Sequence, residues 1–472
     1  MNARFDDLER MSAEFGARPD DTVLAARLAH HLASLGMTSR CALVIRTWFE
    51  AARRDHDTTL QALELLLDCG RQDVALELAE RELACDTADP RIHLLCANAA
   101  LQLGDFERAR TGYLHVVEHA PQAAEWCVAD GLCHTLRYRD ADHPDLQLFR
   151  RILEQARISP RARASTLLAL AKAMDDLGDH QAAVERARQA NSIRQMLRPW
   201  QEHVWEARIR RGLDAVAGTL TAQPAPGWTP LLVVGCPRSG TTLVADQLTR
   251  HLGACSRGEL PWLDRLASAN RAGITPGGLV DLRDAYARQL LRDDPPCSIY
   301  IDKNPINLLH VGLVLALWSN AQVIYCRRDP LDNAVSIWMQ DFTAAEHAYC
   351  SRYDSIGAFM AGCGALMKHW MALNPERIHP VDYEDMVADP GATLDRLVTR
   401  LGLERSVPAP SDSSTAAVHG IASASVWQAR QPVTTASVGR AAAYRPWLPE
   451  LKDFERAYAD WRMHAADFQS RV

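Results

Sequence analysis

No stretch of this 472-residue chain is long and apolar enough to suggest a bilayer span. The longest strongly apolar run, Val311 to Trp318, is far short of the roughly twenty residues a transmembrane helix needs. The N-terminus, MNARFDDLERMSAEFGARPDD, is charged throughout and lacks the apolar core of a secretory signal, so a soluble cytoplasmic protein is expected. Paired cysteine spacing is also missing. Twelve cysteines scatter from Cys41 to Cys363 with no CxxC and no matching histidine spacing, which argues against a zinc site or a disulfide framework and suits reduced thiols. There is no excess of basic charge. A formal net charge of −7 gives no reason to expect a nucleic-acid partner, although local basic clusters could hold a small anion. What is present is ordinary for a globular protein, 47% hydrophobic and 24% charged residues, which excludes disordered and collagen-like classes. The length exceeds what one core usually serves, so two or more domains are expected.

The N-terminal half carries a repeat. Glycines recur in similar contexts at Gly36, Gly70 and Gly104, a spacing of 34 residues each time, and again at Gly178 after a gap of 74. Five positions after each glycine stands a small residue: Cys41, Ala75, Ala109 and Ala183. A turn glycine followed by a small residue suits two antiparallel helices whose backbones approach closely, and flanking apolar residues such as Leu63, Leu66 and Leu67 keep helical spacing. Pro121 reads as a helix stop, the stretch from there to about Ser159 as a degenerate copy, and Trp48 and Trp126 as core. The pattern resembles the tetratricopeptide repeat over roughly residues 20 to 215. It implies an all-α domain over 1–216 that offers a surface to a partner or substrate and no catalysis of its own. AGTLTAQPAPGWTP loses helical periodicity and marks a linker over 217–229.

The remainder, 230–472, reads as an α/β domain with a parallel sheet. PLLVVG (Pro230–Gly235) suits a buried strand, CPRSGTT follows as a loop, and LVADQLTRHL continues as an amphipathic helix. Strand, glycine loop and helix is the context in which loop N–H groups and a helix N-terminus cradle a phosphate. Gly235 and Gly240 have Walker A spacing, but Thr241 stands where a nucleotide triphosphatase has lysine. That lysine works with Mg²⁺ on β- and γ-phosphates. A loop without it, carrying Arg238, Ser239, Thr241 and Thr242, suits a 5′-phosphate bearing one further anionic group. PRSGTT resembles the 5′-phosphosulfate loop of sulfotransferases, which take their sulfuryl group from 3′-phosphoadenosine 5′-phosphosulfate (PAPS).

A second anchor lies in AQVIYCRRDPLDNAVSIW. Arg328 at the end of a strand and Ser336 in the following helix are eight residues apart, so both approach the carboxyl edge of the sheet. The sulfotransferase 3′-phosphate motif has this form; Arg327 reads equally as a surface charge. IHPVDYEDMVADP resembles the YED segment of the family and implies Tyr383 beside the adenine. RQPVTTASVGR resembles the segment that closes over the nucleotide and implies a phosphate contact from Arg440. After it, Ala441–Ala443 stand where relatives carry bulkier residues, which puts nucleotide affinity in question.

The resemblance covers about Pro230 to Trp447 and is nearest to the tyrosylprotein sulfotransferase branch and to bacterial enzymes with fused repeats. Cytosolic small-molecule members place a histidine two residues after a strand-end lysine; here Pro305 follows Lys303 at that distance. The base is expected instead at Glu259, in GACSRGELPWL, where the protein-tyrosine branch has a glutamate and where Leu260, Pro261 and Trp262 give partial burial. Lys303 would support the leaving oxygen. The sequence thus leads to metal-independent sulfuryl transfer from PAPS, with tyrosine in a peptide or protein as the favoured acceptor. Other readings stay open at this point: a glycan or small-molecule acceptor, a P-loop phosphotransferase, or a weakly catalytic repeat scaffold.

Overall fold

The computed structural model describes residues 2–52, 55–85, 89–213, 222–269, 276–342, 344–403 and 432–469. Twelve α-helices, α1 to α12 in chain order, fill Asn2–Leu213 of the described residues. Gly36, Gly70, Gly104 and Gly178 each follow a helix with a positive φ of 73° to 83°. Two of them are followed by an aspartate whose side chain caps the next helix, Asp105 accepting from Arg108 N at 3.2 Å and Asp179 from Ala182 N at 3.0 Å. A left-handed glycine stops one helix and an acid starts its partner, which makes a reversal of two residues at Gly104 and three at Gly178. Cys41, Ala75, Ala109 and Ala183 are at most 2% exposed, the close approach that small side chains permit. Between Pro121 and Ser159 the chain forms a short helix, α8 (Val128–Cys133), and a longer one, α9 (Pro144–Glu154). Trp48 is buried and Trp126 packs partly buried against the same core.

The second half is built on five parallel strands: β1 (Thr229–Gly235), β2 (Cys255–Ser256), β3 (Ile299–Asp302), β4 (Gln322–Arg327) and β5 (Ile378–Asp382). Their order across the sheet is β2-β3-β1-β4-β5. Central β1 pairs with β3 on one side and β4 on the other, and Leu231 to Val234 are fully buried. A strand covered on both faces needs no polar alternation, hence its run of four apolar residues. The chain's direction of travel across the sheet reverses at β1, so the loops after β1 and β4 open into one crevice at the carboxyl edge. Helix α13 (Thr241–Leu252) follows β1, and α17 (Pro330–Trp338) follows β4 behind the cap of Asp329, which accepts from Leu331 N and Asp332 N, each at 3.0 Å.

The last helices of the first half, α10 (Pro160–Asp176), α11 (His180–Leu197) and α12 (Glu202–Leu213), share one hydrophobic core with the helices that cover the sheet. Trp205 of α12 donates to Ala358 O at 3.3 Å on α18 (Tyr353–Leu373), and Trp370 donates back to Gly212 O at 3.2 Å. Burying one tryptophan there contributes roughly 4–6 kcal/mol before entropy is counted. Two more helices close the described chain, α21 (Arg440–Tyr444) and α22 (Leu451–Gln469), with α22 lying along α18. The first helical turns reach the sheet half as well: Asp293 accepts from Ser39 N at 2.8 Å and Arg40 N at 2.7 Å. Part of the expected linker, residues 217–221, lies outside the described residues. No helix among the described residues is long and apolar enough to cross a membrane.

Candidate functional site

The loop after β1 is held tightly. A Cβ on Gly235 would lie 2.5 Å from Cys326 O and 2.6 Å from Ser239 Oγ, so only glycine lets the two strands and the loop meet. Arg238 adopts a left-handed φ of 69°, uncommon for a side chain with a Cβ and costing on the order of 1–3 kcal/mol. Asn333 secures the turn, donating to Pro237 O at 2.8 Å. Gly240, at φ 92°, begins α13, and the Tyr383 ring occupies the space a Cβ there would need. Ser239, Thr241 and Thr242 are all buried at the start of this helix.

The β4–α17 turn meets that loop. Arg238 donates to Ser336 Oγ at 3.2 Å, and Arg328 donates to Arg238 O at 3.1 Å while its guanidinium lies 4.6 Å from the centre of the Tyr383 ring. A third strand of chain joins from the C-terminus. Arg328 donates to Ser437 O at 2.7 Å, and Asp332 accepts from Gly439 N at 2.6 Å and Ala441 N at 2.7 Å. Arg430 and Gln431 of the segment expected to close over a nucleotide lie outside the described residues. Arg440, at the start of α21, pairs with Asp175 of α10 and donates to Tyr444 Oη at 3.1 Å. Arg327 is different in kind: its exposed guanidinium pairs with Asp382 at 2.6 Å.

Arg238 and Arg328 thus meet directly, and Arg440, itself paired with Asp175, is near enough for its charge to act on both. Burial, then the charges of Arg328 and Arg440, push Arg238 down to about 10. Burial lowers Arg328 too. Two polar atoms here, Ser239 Oγ and Arg328 Nε, are buried without a hydrogen-bond partner. Buried donors and like charges of this kind are costly unless an anion completes them. A cavity of about 520 Å³ adjoins the cluster, with Ser239, Arg328 and Asn333 in its wall.

At the neighbouring end of β3 a second pair forms. Lys303, almost wholly buried, makes an ion pair with Glu259, whose side chain is 34% exposed. The two loops are laced together: Lys303 N donates to Gly258 O at 3.0 Å, and Asn304 Nδ2 to Leu260 O at 3.1 Å. Beneath them Asp302 is fully buried and accepts from Tyr286 Oη at 2.6 Å and Asn307 Nδ2 at 3.0 Å. Burial raises its carboxyl from 3.8 to about 7.

Residues 230–407 match the family model described as Sulfotransferase family. Over these residues the chain is similar to that family. The family generally draws its sulfuryl group from PAPS. An uncharacterized protein of Aquifex aeolicus (strain VF5) is 27% identical over 286 residues, 55% of this chain and 37% of its own length. The chain thus spans little more than a third of that curated relative. Among solved structures, the sulfotransferase domain from the curacin biosynthetic pathway is 18% identical, with 50% of this chain and 98% of that one covered and a TM-score of 0.31. Sulfotransferase STF1 from Mycobacterium tuberculosis H37Rv is 14% identical, with 70% and 97% covered and a TM-score of 0.27. Overlaps at these scores carry no weight.

Within the region that matches this family, Arg238, Ser336, Arg328 and Tyr383 meet in one cluster, and Glu259 meets Lys303. Ser336 faces Arg238 as an acceptor rather than standing apart from it. Sequence reading passed over Asp332, Asn333 and Asp302. All three are buried polar residues inside otherwise apolar elements, and DPLDNAVSIW and SIYIDK show that exception to the pattern.

Proposed function

We propose that this protein transfers a sulfuryl group from PAPS to an acceptor hydroxyl, most simply that of tyrosine in a peptide or protein. In this reading Ser239, Gly240, Thr241 and Thr242 receive the 5′-phosphosulfate at the head of α13, and Arg328, Ser336 and Arg440 receive the 3′-phosphate. Arg238 sits between them and Tyr383 flanks the adenine. Glu259 takes the proton of the acceptor hydroxyl as its oxygen bonds to sulfur. The bond from sulfur to the bridging phosphate oxygen breaks, and adenosine 3′,5′-bisphosphate departs with Lys303 neutralising that oxygen. Arginines and one lysine supply the cationic support, so no metal is required for it. The observation that carries the reading is the meeting of Arg238 and Arg328 beside the partnerless Ser239 Oγ and Arg328 Nε.

The helical half, residues 1–216 in this division, is proposed as a tetratricopeptide-like surface for an extended acceptor, joined through 217–229 to the catalytic half in a soluble cytoplasmic protein. Titration calorimetry with adenosine 3′,5′-bisphosphate tests the donor site, and transfer from labelled PAPS to tyrosine peptides in the presence of EDTA tests the reaction. Binding with label transfer that survives chelation supports the proposal. Absence of bisphosphate binding overturns it, and transfer only to glycans or small hydroxyls replaces the acceptor.

A further inference from the structure

Two aspartates end helix α10, where the helix dipole disfavours negative charge. Asp176 is answered within its own half, accepting from Lys172 Nζ at 2.6 Å and from Tyr138 N at 3.1 Å. Asp175 is answered from the other half. It pairs with Arg440 and accepts from Tyr444 Oη, with His180 Nδ1 at 3.7 Å. The residue the helical half grips is the arginine next to the phosphate cluster.

The grip is one-sided. Both hydrogen bonds of Arg440, to Asp175 and to Tyr444 Oη, are made by one terminal nitrogen, and its Nε and other terminal nitrogen make no hydrogen bond among the described residues. A guanidinium held through one terminal nitrogen keeps the N–H groups of its other two nitrogens to donate to a phosphate. Its backbone is fixed independently, because Asp332 accepts from Gly439 N and Ala441 N on either side of it. Its charge acts on Arg238 and Arg328, so it belongs to the same field.

We propose that Asp175 is a positioning residue for Arg440, so that the helical half completes the pocket for the 3′-phosphate of the nucleotide. This rests on the donor-site reading above. The carboxylate aims the guanidinium before the nucleotide arrives, and Tyr444 shares the load. An arginine left to search its rotamers would lose that freedom on binding, and affinity for the 3′-phosphate would fall accordingly.

The test is selective for one phosphate. In the full chain, Asp175→Asn should weaken binding of adenosine 3′,5′-bisphosphate about tenfold and that of adenosine 5′-phosphosulfate, which lacks the 3′-phosphate, less than about twofold, as expected for coupling within one network. Asp175→Glu should restore most of the loss. Combined with Arg440→Ala, Asp175→Asn should add nothing further. KM for PAPS should rise with kcat nearly unchanged, a split that a general loss of structure would not give. Equal or tighter bisphosphate binding by Asp175→Asn overturns the inference. If that variant does not fold, Tyr444→Phe serves, with the same selective loss expected and its absence equally decisive. Bisphosphate binding that is lost in Arg328→Ala but normal in Arg440→Ala sinks this inference alone. Normal binding in both sinks the nucleotide reading itself.

Discussion

The ends of β1 and β3 lie side by side, yet they are furnished in opposite ways. Around the β1 loop, positive charge gathers in excess, with Arg238 driven down to about 10 and two buried polar atoms unanswered. At the end of β3, Lys303 and Glu259 neutralise each other and their loops are stitched by backbone contacts. The first place is incomplete without an anion. The second is complete at rest, and in the proposed reaction it would have to come apart for Lys303 to serve a leaving oxygen. In the proposed reading, binding and chemistry fall into neighbouring but electrostatically distinct places, and each should be open to disturbance without the other.

The largest effect should come from the neutral pair. Glu259→Gln should lower kcat by about 10²–10⁴-fold while calorimetry finds nucleotide affinity unchanged; a loss of affinity instead would break the separation. Arg328→Ala should do the reverse, weakening bisphosphate binding roughly ten- to hundredfold, the value of a charged hydrogen bond. Bisphosphate at a hundredfold excess over Kd should stabilise the wild type and Glu259→Gln by about 2.7 kcal/mol, measured by thermal melting, and Arg328→Ala far less at the same concentration.

A smaller effect separates the two ends by pH. Asp302 keeps its proton in the folded protein up to about pH 7, whereas at its ordinary value of 3.8 the unfolded chain has already released it. Its contribution is complete below about pH 4 and is lost as pH rises through 7, by at most about 1.4 kcal/mol per pH unit. Denaturant titrations of Asp302→Asn should show a flatter decline across that interval. The smallest change sharpens the β1 side: Gly240→Ala should cost about 1–2 kcal/mol, because the new Cβ meets the Tyr383 ring on a backbone in the left-handed region. A variant as stable as the wild type would show that Tyr383 yields easily.

Much of the sheet was legible because its strands advertise themselves. PLLVVG and VIYC are β-branched runs too short for helices, and the glycine spacing at Gly235 and Gly240 marked the loop between strand and helix. Strand β2 is only two residues long, Cys255–Ser256, and no periodicity can speak from two positions. The pairings of charges were illegible for another reason. Asp175 and Arg440 are 265 residues apart, and composition says nothing about which acid a base will meet. Nothing in the sequence of α12 names the helix it packs against, so Trp205 against Ala358 emerged only in three dimensions. Arg238 at a φ of 69° could not be foreseen at all, since a strained residue persists only where its surroundings over-determine it.

The indole of Trp205 and the stripe ending at Leu213 are wedged into α18, the long helix on the back of the sheet. A gene cut at the proline-rich junction would yield a sheet-bearing fragment whose greasy flank faces water, prone to clump during expression. Exchanging the helical half for that of another protein would therefore require that flank to be redesigned along with it.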